Sequence, residues 1–190
     1  VEIGERDFRG LVIHHQGENF SVGANLLAVL EGIQANQWAG IDEMIRVFQG
    51  MTTGLRKAKI PVITAPFAYT FGGGCEITMG GDRVCAAAET YIGLVEVGVG
   101  VIPAGGGCYF MLERVLEGVD EPVLSNLPFI RTAFENIGMA RSPPPGRRGA
   151  TASIYGPSTR WRSTATNSCG RPSGWPSAWP RRATWTWLRP

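Results

Sequence analysis

Two carboxyl groups that could take part in acid–base chemistry, Glu76 and Glu96, lie within or beside glycine-rich segments of this sequence. Glu76 comes two residues after the glycine triplet at residues 72–74, and Glu96 lies in the largely apolar segment 93–103. Two carboxyl groups that share a site push their pKa values apart, so that one serves as base and the other as acid. Taken singly, Glu76 could instead be a first-turn helix residue that complements the helix dipole, and Glu96 a solvated loop acid.

Two glycine-centred segments, residues 20–26 and 71–76, each couple a turn to the start of a helix. The first N–H groups of a helix have no partner within it and carry the positive end of its dipole. Two such donors that converge on one point would form an oxyanion hole, and glycine permits the close approach that this requires. Each segment alone is weak evidence, because a glycine triplet is more often only a turn. A phosphate-binding loop is disfavoured because no Gly-Lys-Ser/Thr follows.

The first elements along the chain predict two strands separated by helix. The β-branched run at residues 11–13 and the run at residues 60–65 predict buried strands. Between them, apolar residues three and four apart predict a helical stretch over residues 25–57, with Gly40 as the candidate division into two helices. A short helix is predicted from the glycine triplet to Met79.

The later elements continue the alternation. Residues 83–87 and 90–93 predict two strands, and a second glycine triplet at residues 105–107 leads into a helix that runs to about Leu116. Residues 129–139 predict a further helix. Strands that alternate with helices indicate an α/β fold with largely parallel pairing.

Length and composition suit one domain without secretion or membrane signals. The 190 residues are 44% hydrophobic, no signal peptide is expected, and no apolar run reaches the ~18 residues of a membrane span. The four cysteines show no CxxC spacing and are expected to be free thiols in a reducing cytoplasm. His14 and His15 are adjacent and would point to opposite faces of a strand, which favours a structural role over a shared metal.

The sequence changes character at Arg141. Residues 1–140 hold nine Lys or Arg and all sixteen acidic residues, whereas residues 141–190 hold nine Arg, no acid, five of the six Trp and eight of the thirteen Pro. The tail shows no helical or strand periodicity. Its Arg and Trp would suit stacking on RNA or single-stranded DNA, which leaves a non-catalytic nucleic-acid-binding protein as an alternative function.

A shift of reading frame near Arg141 explains this tail better. Because Trp has the single codon TGG, codons that begin at the third base of each printed codon make residues 174–180 compatible with Leu-Ala-Leu-Gly-Leu-Ala. Residues 167–173 are then compatible with Leu-Leu-Arg-Ala-Ala-Lys-Arg, and the two together read as an amphipathic helix. Residues 1–140 are thus expected to form the core and residues 141–190 to be out of frame or disordered, which sequencing of the source DNA would test.

The order of the core motifs resembles the crotonase superfamily, particularly its enoyl-CoA hydratases. The resemblance runs from about Phe8 to Ala140 and rests on residues 59–63, the glycine triplet with Glu76, Gly81-Asp82-Arg83, and residues 93–107. Residues 93–98 are most similar to hydratase domains joined to a 3-hydroxyacyl-CoA dehydrogenase, although no GxGxxG fingerprint is present. The implied fold is the ClpP/crotonase ββα superhelix, truncated at the N-terminus and followed by an irregular tail.

The resemblance also implies a site. The N–H groups of Ala24 and Gly73 match the oxyanion donors, and Glu76 and Glu96 match the catalytic carboxylates, both of which hydratases keep. Glu76 is expected to orient or deprotonate water and Glu96 to protonate the α-carbon. The residues expected around the substrate are Ser21, Gly23, Ala24, Asn25, Gly72, Gly73 and Gly74.

The implied function is enoyl-CoA hydration, the syn addition of water to a 2-trans-enoyl-CoA in fatty-acid β-oxidation. The expected partner is an acyl-CoA thioester, with no metal and no cofactor beyond the coenzyme A of the substrate. The complete domain would form a homotrimer or hexamer in the cytoplasm, without membrane contact. A crotonase-type isomerase is the alternative within the same fold.

Overall fold

The computed structural model describes residues 8–117 and 126–142, together with the backbone of Trp185–Leu188. Strands and helices alternate along the chain, as predicted. The elements, in chain order, are β1 Gly10–Ile13, α1 Leu26–Gln34, α2 Trp38–Arg56, β2 Val62–Thr64, β3 Tyr69–Phe71, α3 Gly73–Gly80, β4 Arg83–Val84, β5 Tyr91–Gly93, a 3-10 helix Glu96–Val99, α4 Gly107–Leu116, α5 Leu127–Gly138 and β6 Trp185–Leu188.

The strands form two sheets with mainly parallel pairing. In the larger sheet the order is β4-β2-β1-β6, and β1, β2 and β4 pair in parallel. In the smaller sheet β3 pairs in parallel with β5, and Ser21 extends it through a bridge to Thr70. The smaller sheet therefore brings Ser21, the end of β3 and the end of β5 together at one end of the sheet.

Two apolar clusters hold these layers together. One packs β1, β2 and the end of α2, and it includes the buried side chains of Leu11, Leu55 and Val62. The other lies between α3, β5, α4 and α5, and it includes Met79 and Ile92. Removal of this apolar surface from water is the main favourable term in folding, and the second cluster fixes α3 against α4.

The long helical stretch divides at a different residue from the one predicted. Helix α1 ends at Gln34 and α2 begins at Trp38, so Gly40 lies inside α2 and the predicted division at Gly40 is wrong. The chain turns at Asn36, whose φ is +55°. Asparagine adopts this left-handed conformation more readily than most residues, because its short polar side chain can hydrogen-bond locally.

Three smaller expectations can be compared with the structure. Cys75 and Cys108 are free thiols, as predicted, but Cys85 is disulfide-bonded, so the expectation of free thiols is wrong for that residue. The Nδ1 atom of His15 lies 2.8 Å from the carbonyl oxygen of Asn19, while the His14 ring packs against Phe67, in keeping with structural roles. Over the described parts of the chain, no helix combines the length and apolarity needed to cross a bilayer.

The segment after Ser142 lies outside the described residues except for β6. This strand pairs antiparallel with β1, with Leu11 opposite Trp187. Strand β6 was not predicted, because the tail shows no strand periodicity. Four residues are too short to establish a period, although Trp and Thr both favour strands. The frame-shift hypothesis and the nucleic-acid alternative both depend on the undescribed residues and stay predictions.

Candidate active site

Helix α3 begins in a tight turn that the glycine triplet makes possible. Gly72 precedes the helix with a φ of +53°, a conformation that favours glycine. Its N–H donates to the carbonyl oxygen of Gly93 at 3.0 Å, and its own carbonyl accepts from the Glu76 N–H at 3.0 Å. The start of α3 is thereby tied to the end of β5, three residues before Glu96.

The two glycine-centred segments lie side by side. A Cβ atom on Gly23 would lie 3.9 Å from the Gly73 nitrogen and 3.4 Å from the Phe71 carbonyl oxygen. Gly23 has a φ of +99°, a backbone conformation that residues with a side chain rarely adopt. The structure thus brings the predicted segments 20–26 and 71–76 into contact.

Ser21 and Asn25 have structural partners within the same region. Ser21 packs against α3, because a Cβ on Gly74 would lie 2.6 Å from the Ser21 Cβ. The Ser21 hydroxyl accepts from the Gly23 N–H at 3.3 Å. Asn25 caps α1, since its Oδ1 accepts from the Ala28 N–H at 3.3 Å. Both residues shape the segment that presents Ala24.

The N–H groups of Ala24 and Gly73 have no hydrogen-bond partner in the described part of the chain. Ala24 is exposed, and Gly73 is the first residue of α3, where no intrahelical partner exists. Unpaired N–H groups on adjacent segments can stabilise an oxygen that gains negative charge. Their role as a pair of oxyanion donors stays a prediction.

Glu76 is buried, with 2% of its surface exposed, and its carboxylate is held by the backbone. The N–H of Gly107, the first residue of α4, donates to its Oε1 at 2.8 Å. Burial raises the pKa of Glu76, while hydrogen bonds from the Gly107 and Gly105 N–H groups lower it. The negative charge therefore has donors, and it lies at the positive end of the α4 dipole.

Glu96 is less buried than Glu76, but its carboxyl group has fewer hydrogen-bond partners. Burial raises its pKa to about 7, its own N–H lowers the pKa, and the charge of Glu76 raises it further. Its Oε2 has no hydrogen-bond partner among the described residues. Its Oε1 would lie 3.3 Å from a Cβ on Gly72, so the carboxyl group stands beside the start of α3.

The surroundings of the two carboxyl groups stabilise the ionised form of Glu76 more than that of Glu96. Both feel the penalty of burial, but Glu76 accepts a hydrogen bond from the N–H of Gly107, whereas Glu96 has only its own N–H to lower its pKa and keeps Oε2 without a partner among the described residues. Ionised Glu76 also disfavours ionisation of Glu96. Such a pair can supply a base and an acid at one place.

The sequence did not reveal the partners of Glu76. The second glycine triplet was predicted only to lead into a helix, yet the N–H of Gly107 holds the carboxylate. A side chain on Gly105 would collide with the Phe48 ring and with the Glu76 carboxylate, so only glycine fits. The repeated glycines were the available signal, but the contact spans thirty-one positions of the chain and depends on the fold.

Over the described residues, no three side chains of His, Cys, Asp or Glu are grouped so that they could hold a metal ion.

Sequence comparisons give this site a family context. A family model described as "Enoyl-CoA hydratase/isomerase" matches residues 3–118. A protein of Bacillus subtilis (strain 168) named "Probable 3-hydroxyacyl-CoA dehydrogenase" is 40% identical over 141 residues, which cover 74% of this chain and 17% of that protein. The chain therefore spans about a sixth of the length of this relative.

Solved structures share the fold. An enoyl-CoA hydratase from Thermoplasma volcanium GSS1 matches with a TM-score of 0.61 and 21% identity, covering 78% of this chain and 52% of that chain. An enoyl-CoA hydratase from Rhodobacter sphaeroides 2.4.1 matches with a TM-score of 0.64 and 17% identity, covering 82% and 41% respectively. At these identities the likeness shows the fold alone, and it confirms the crotonase-like α/β fold expected from the sequence.

Proposed function

The chain belongs to the enoyl-CoA hydratase/isomerase family, as its motifs predicted, and we propose that it carries the active site of an enoyl-CoA hydratase. The reaction is the addition of water across the double bond of a 2-trans-enoyl thioester. The substrate is an acyl-CoA, whose coenzyme A is part of the substrate and not a separate cofactor.

One observation carries this proposal. Near the start of α3 lie two carboxyl groups, one held by backbone N–H groups and the other with an unpartnered oxygen. Glu76 accepts a hydrogen bond from the N–H of Gly107, and Glu96 has a pKa of about 7 and an unpartnered Oε2. Hydration requires one group to handle water and one to protonate carbon. Migration of a double bond can proceed with a single carboxylate that moves one proton, so the pair favours hydration.

The proposed steps follow from the chemistry of a thioester. As water adds to the β-carbon, negative charge develops on the carbonyl oxygen, where the N–H groups of Ala24 and Gly73 would stabilise it. Ionised Glu76 orients the water and takes its proton, and neutral Glu96 delivers a proton to the α-carbon. Both bonds form on the face of the substrate that the two glutamates share, which gives syn addition.

The product suggests where the reaction belongs. Hydration of an enoyl-CoA yields a 3-hydroxyacyl-CoA, and the Bacillus subtilis relative is named for a dehydrogenase of that compound. We therefore place the reaction in fatty-acid β-oxidation, before an oxidation of the 3-hydroxyl group.

The test is hydration of crotonyl-CoA by the purified chain, followed as loss of the conjugated thioester absorbance. Glu76→Gln and Glu96→Gln should each lower kcat by ~10²–10⁴-fold, because each removes one acid–base group. Glu89→Gln, at an exposed position, is the matched control and should keep the parent rate.

A parallel assay with a 3-enoyl-CoA separates hydration from isomerisation. Double-bond migration without net hydration, retained in Glu96→Gln and lost in Glu76→Gln, would refute the hydratase proposal in favour of an isomerase. Hydration that needs both glutamates would support the proposal.

A further inference from the structure

The loop that holds the Glu76 carboxylate is itself held from its opposite side by α2. The Nε2 of Gln49 donates to the carbonyl oxygen of Ala104 at 2.6 Å. One turn further along α2, the hydroxyl of Thr52 donates to the carbonyl oxygen of Gly105 at 2.5 Å. Thr52 has no exposed surface, so its bond is shielded from water.

The planarity of the peptide unit connects these bonds to Glu76. The carbonyl of Ala104 and the N–H of Gly105 belong to one peptide unit, which is trans like every peptide bond in the described part of the chain. In a trans unit the carbonyl and the N–H point in opposite directions. Gln49 therefore fixes the end of the unit that faces α2. At the other end Gly105 lies against the Glu76 carboxylate, where a Cβ would meet Oε2, and its N–H lowers the pKa of Glu76.

Thr52 fixes the neighbouring peptide unit, one unit before the one that carries the Gly107 N–H. The unit from Gly105 to Gly106 lies directly before Gly107, whose N–H donates to Glu76 Oε1. The Thr52 hydroxyl also lies 3.3 Å and 3.2 Å from the carbonyl oxygens of Phe48 and Gln49 in its own helix. A hydroxyl has one proton, and the shortest of the three distances assigns that proton to Gly105.

We propose that Gln49 and Thr52 are positioning residues for Glu76, because they clamp the Ala104 and Gly105 carbonyls so that the Gly105 and Gly107 N–H groups converge on its carboxylate. The consequence for catalysis rests on the proposed function, in which ionised Glu76 handles water. The clamp itself is independent of that function.

Loss of the clamp should raise the pKa of Glu76, since hydrogen bonds to the charged form lower it. The other titratable groups that interact with Glu76 are Glu96, Cys75 and Cys108, from the 3-10 helix, α3 and α4. None of these is altered by a change at Gln49 or Thr52. A shift in the titration of Glu76 would therefore report the loop alone.

The experiment follows the Glu76 carboxyl by ¹³C NMR across a pH titration of the full chain, with its signal assigned by Glu76→Gln. Gln49→Met and Thr52→Val remove one donor each at nearly constant volume. Each should raise the midpoint of Glu76 by about half a unit to one unit. Thr52→Ser keeps the hydroxyl and should restore the parent midpoint, and Thr53→Val at the exposed neighbouring position is the matched control.

An unchanged midpoint in both Gln49→Met and Thr52→Val, with circular dichroism showing intact folds, would overturn the proposal. If Thr52→Val does not fold, Gln49→Met decides alone, because Gln49 is exposed and not part of the core. Crotonyl-CoA hydration is measured on the same samples, where kcat should fall by roughly tenfold with KM nearly unchanged.

The two readouts separate this inference from the proposed function. Shifted midpoints in a chain that hydrates no enoyl thioester would support the clamp and refute the hydratase. Hydration by the parent chain with unmoved midpoints would refute the clamp and leave the hydratase intact.

Discussion

Replacing Glu96 with glutamine removes a carboxyl group whose pKa burial raises to about 7 from an ordinary 4.5. Because the folded-state pKa is raised, the proton on Glu96 stabilises the folded chain at low pH. This stabilisation is complete below the unfolded-state pKa and is lost as the pH rises from about 4.5 through 7. At pH 8 the folded chain therefore holds an ionised group in an unfavourable place, whereas glutamine stays neutral there.

The size of the effect follows from the shift. The difference between about 7 and 4.5 corresponds to about 3.5 kcal/mol at most, at roughly 1.4 kcal/mol for each unit. Glu96 is only partly buried and solvent screens its charge, so about 1–2 kcal/mol is the realistic gain for Glu96→Gln at pH 8. At pH 5 the folded Glu96 is already neutral, and the gain should shrink to a few tenths of a kcal/mol.

Urea unfolding at pH 8 and at pH 5 measures this gain for the parent chain, Glu96→Gln and the control Glu43→Gln. Glu43 is exposed on α2, so its replacement should leave the free energy of unfolding nearly unchanged at both pH values. An equal gain for Glu96→Gln at both pH values would show that packing, not charge, is responsible. A loss of stability at pH 8 would refute the electrostatic account of this site.

Three further predictions rest on the same structure. The kcat/KM for crotonyl-CoA should fall above about pH 7, where Glu96 loses the proton that it delivers, and again at low pH, where Glu76 becomes protonated; a rate that stays flat between about pH 6 and pH 9 would contradict these roles. Gly107→Ala should lower the free energy of unfolding by about 1–3 kcal/mol, because its Cβ would lie 2.8 Å from Leu94 and 2.9 Å from Glu76 Oε1. Gly40 lies inside α2, and a Cβ added there would meet no atom within 4 Å. Gly40→Ala should therefore raise the free energy of unfolding by about 0.5–1 kcal/mol. Thermal unfolding of the Gly107→Ala and Gly40→Ala variants measures both effects.

Local chemistry allowed most elements to be predicted from the sequence. The β-branched runs gave β1 and β2, and the glycine triplets marked the starts of α3 and α4. Strand β3, Tyr69–Phe71, was not predicted, because its three residues carry no period and it forms by pairing with β5. Pairing of that kind is set by the tertiary fold and not by local preference.

The position of the helix break shows the same limit. Glycine weakens a helix, which made Gly40 the candidate, but its cost is small and packing overrides it. The chain instead turns at Asn36, where a left-handed conformation leads α1 back against α2, and the side chain of Ile41 packs over Gly32. A contact between two helices decided what propensity alone could not.

The assignment of roles to Glu76 and Glu96 depends on α4. Burial alone would raise the pKa of both glutamates and leave neither as a base. The N–H of Gly107 at the start of α4, with that of Gly105, gives Glu76 donors, whereas Glu96 keeps an unpartnered oxygen. The sequence could therefore identify the pair of carboxyl groups by resemblance, but the physical cause of their difference lies in a loop far along the chain. If that cause is correct, replacing Gln49, which holds the Ala104 carbonyl of this loop, should change the titration of Glu76 although neither glutamate is altered.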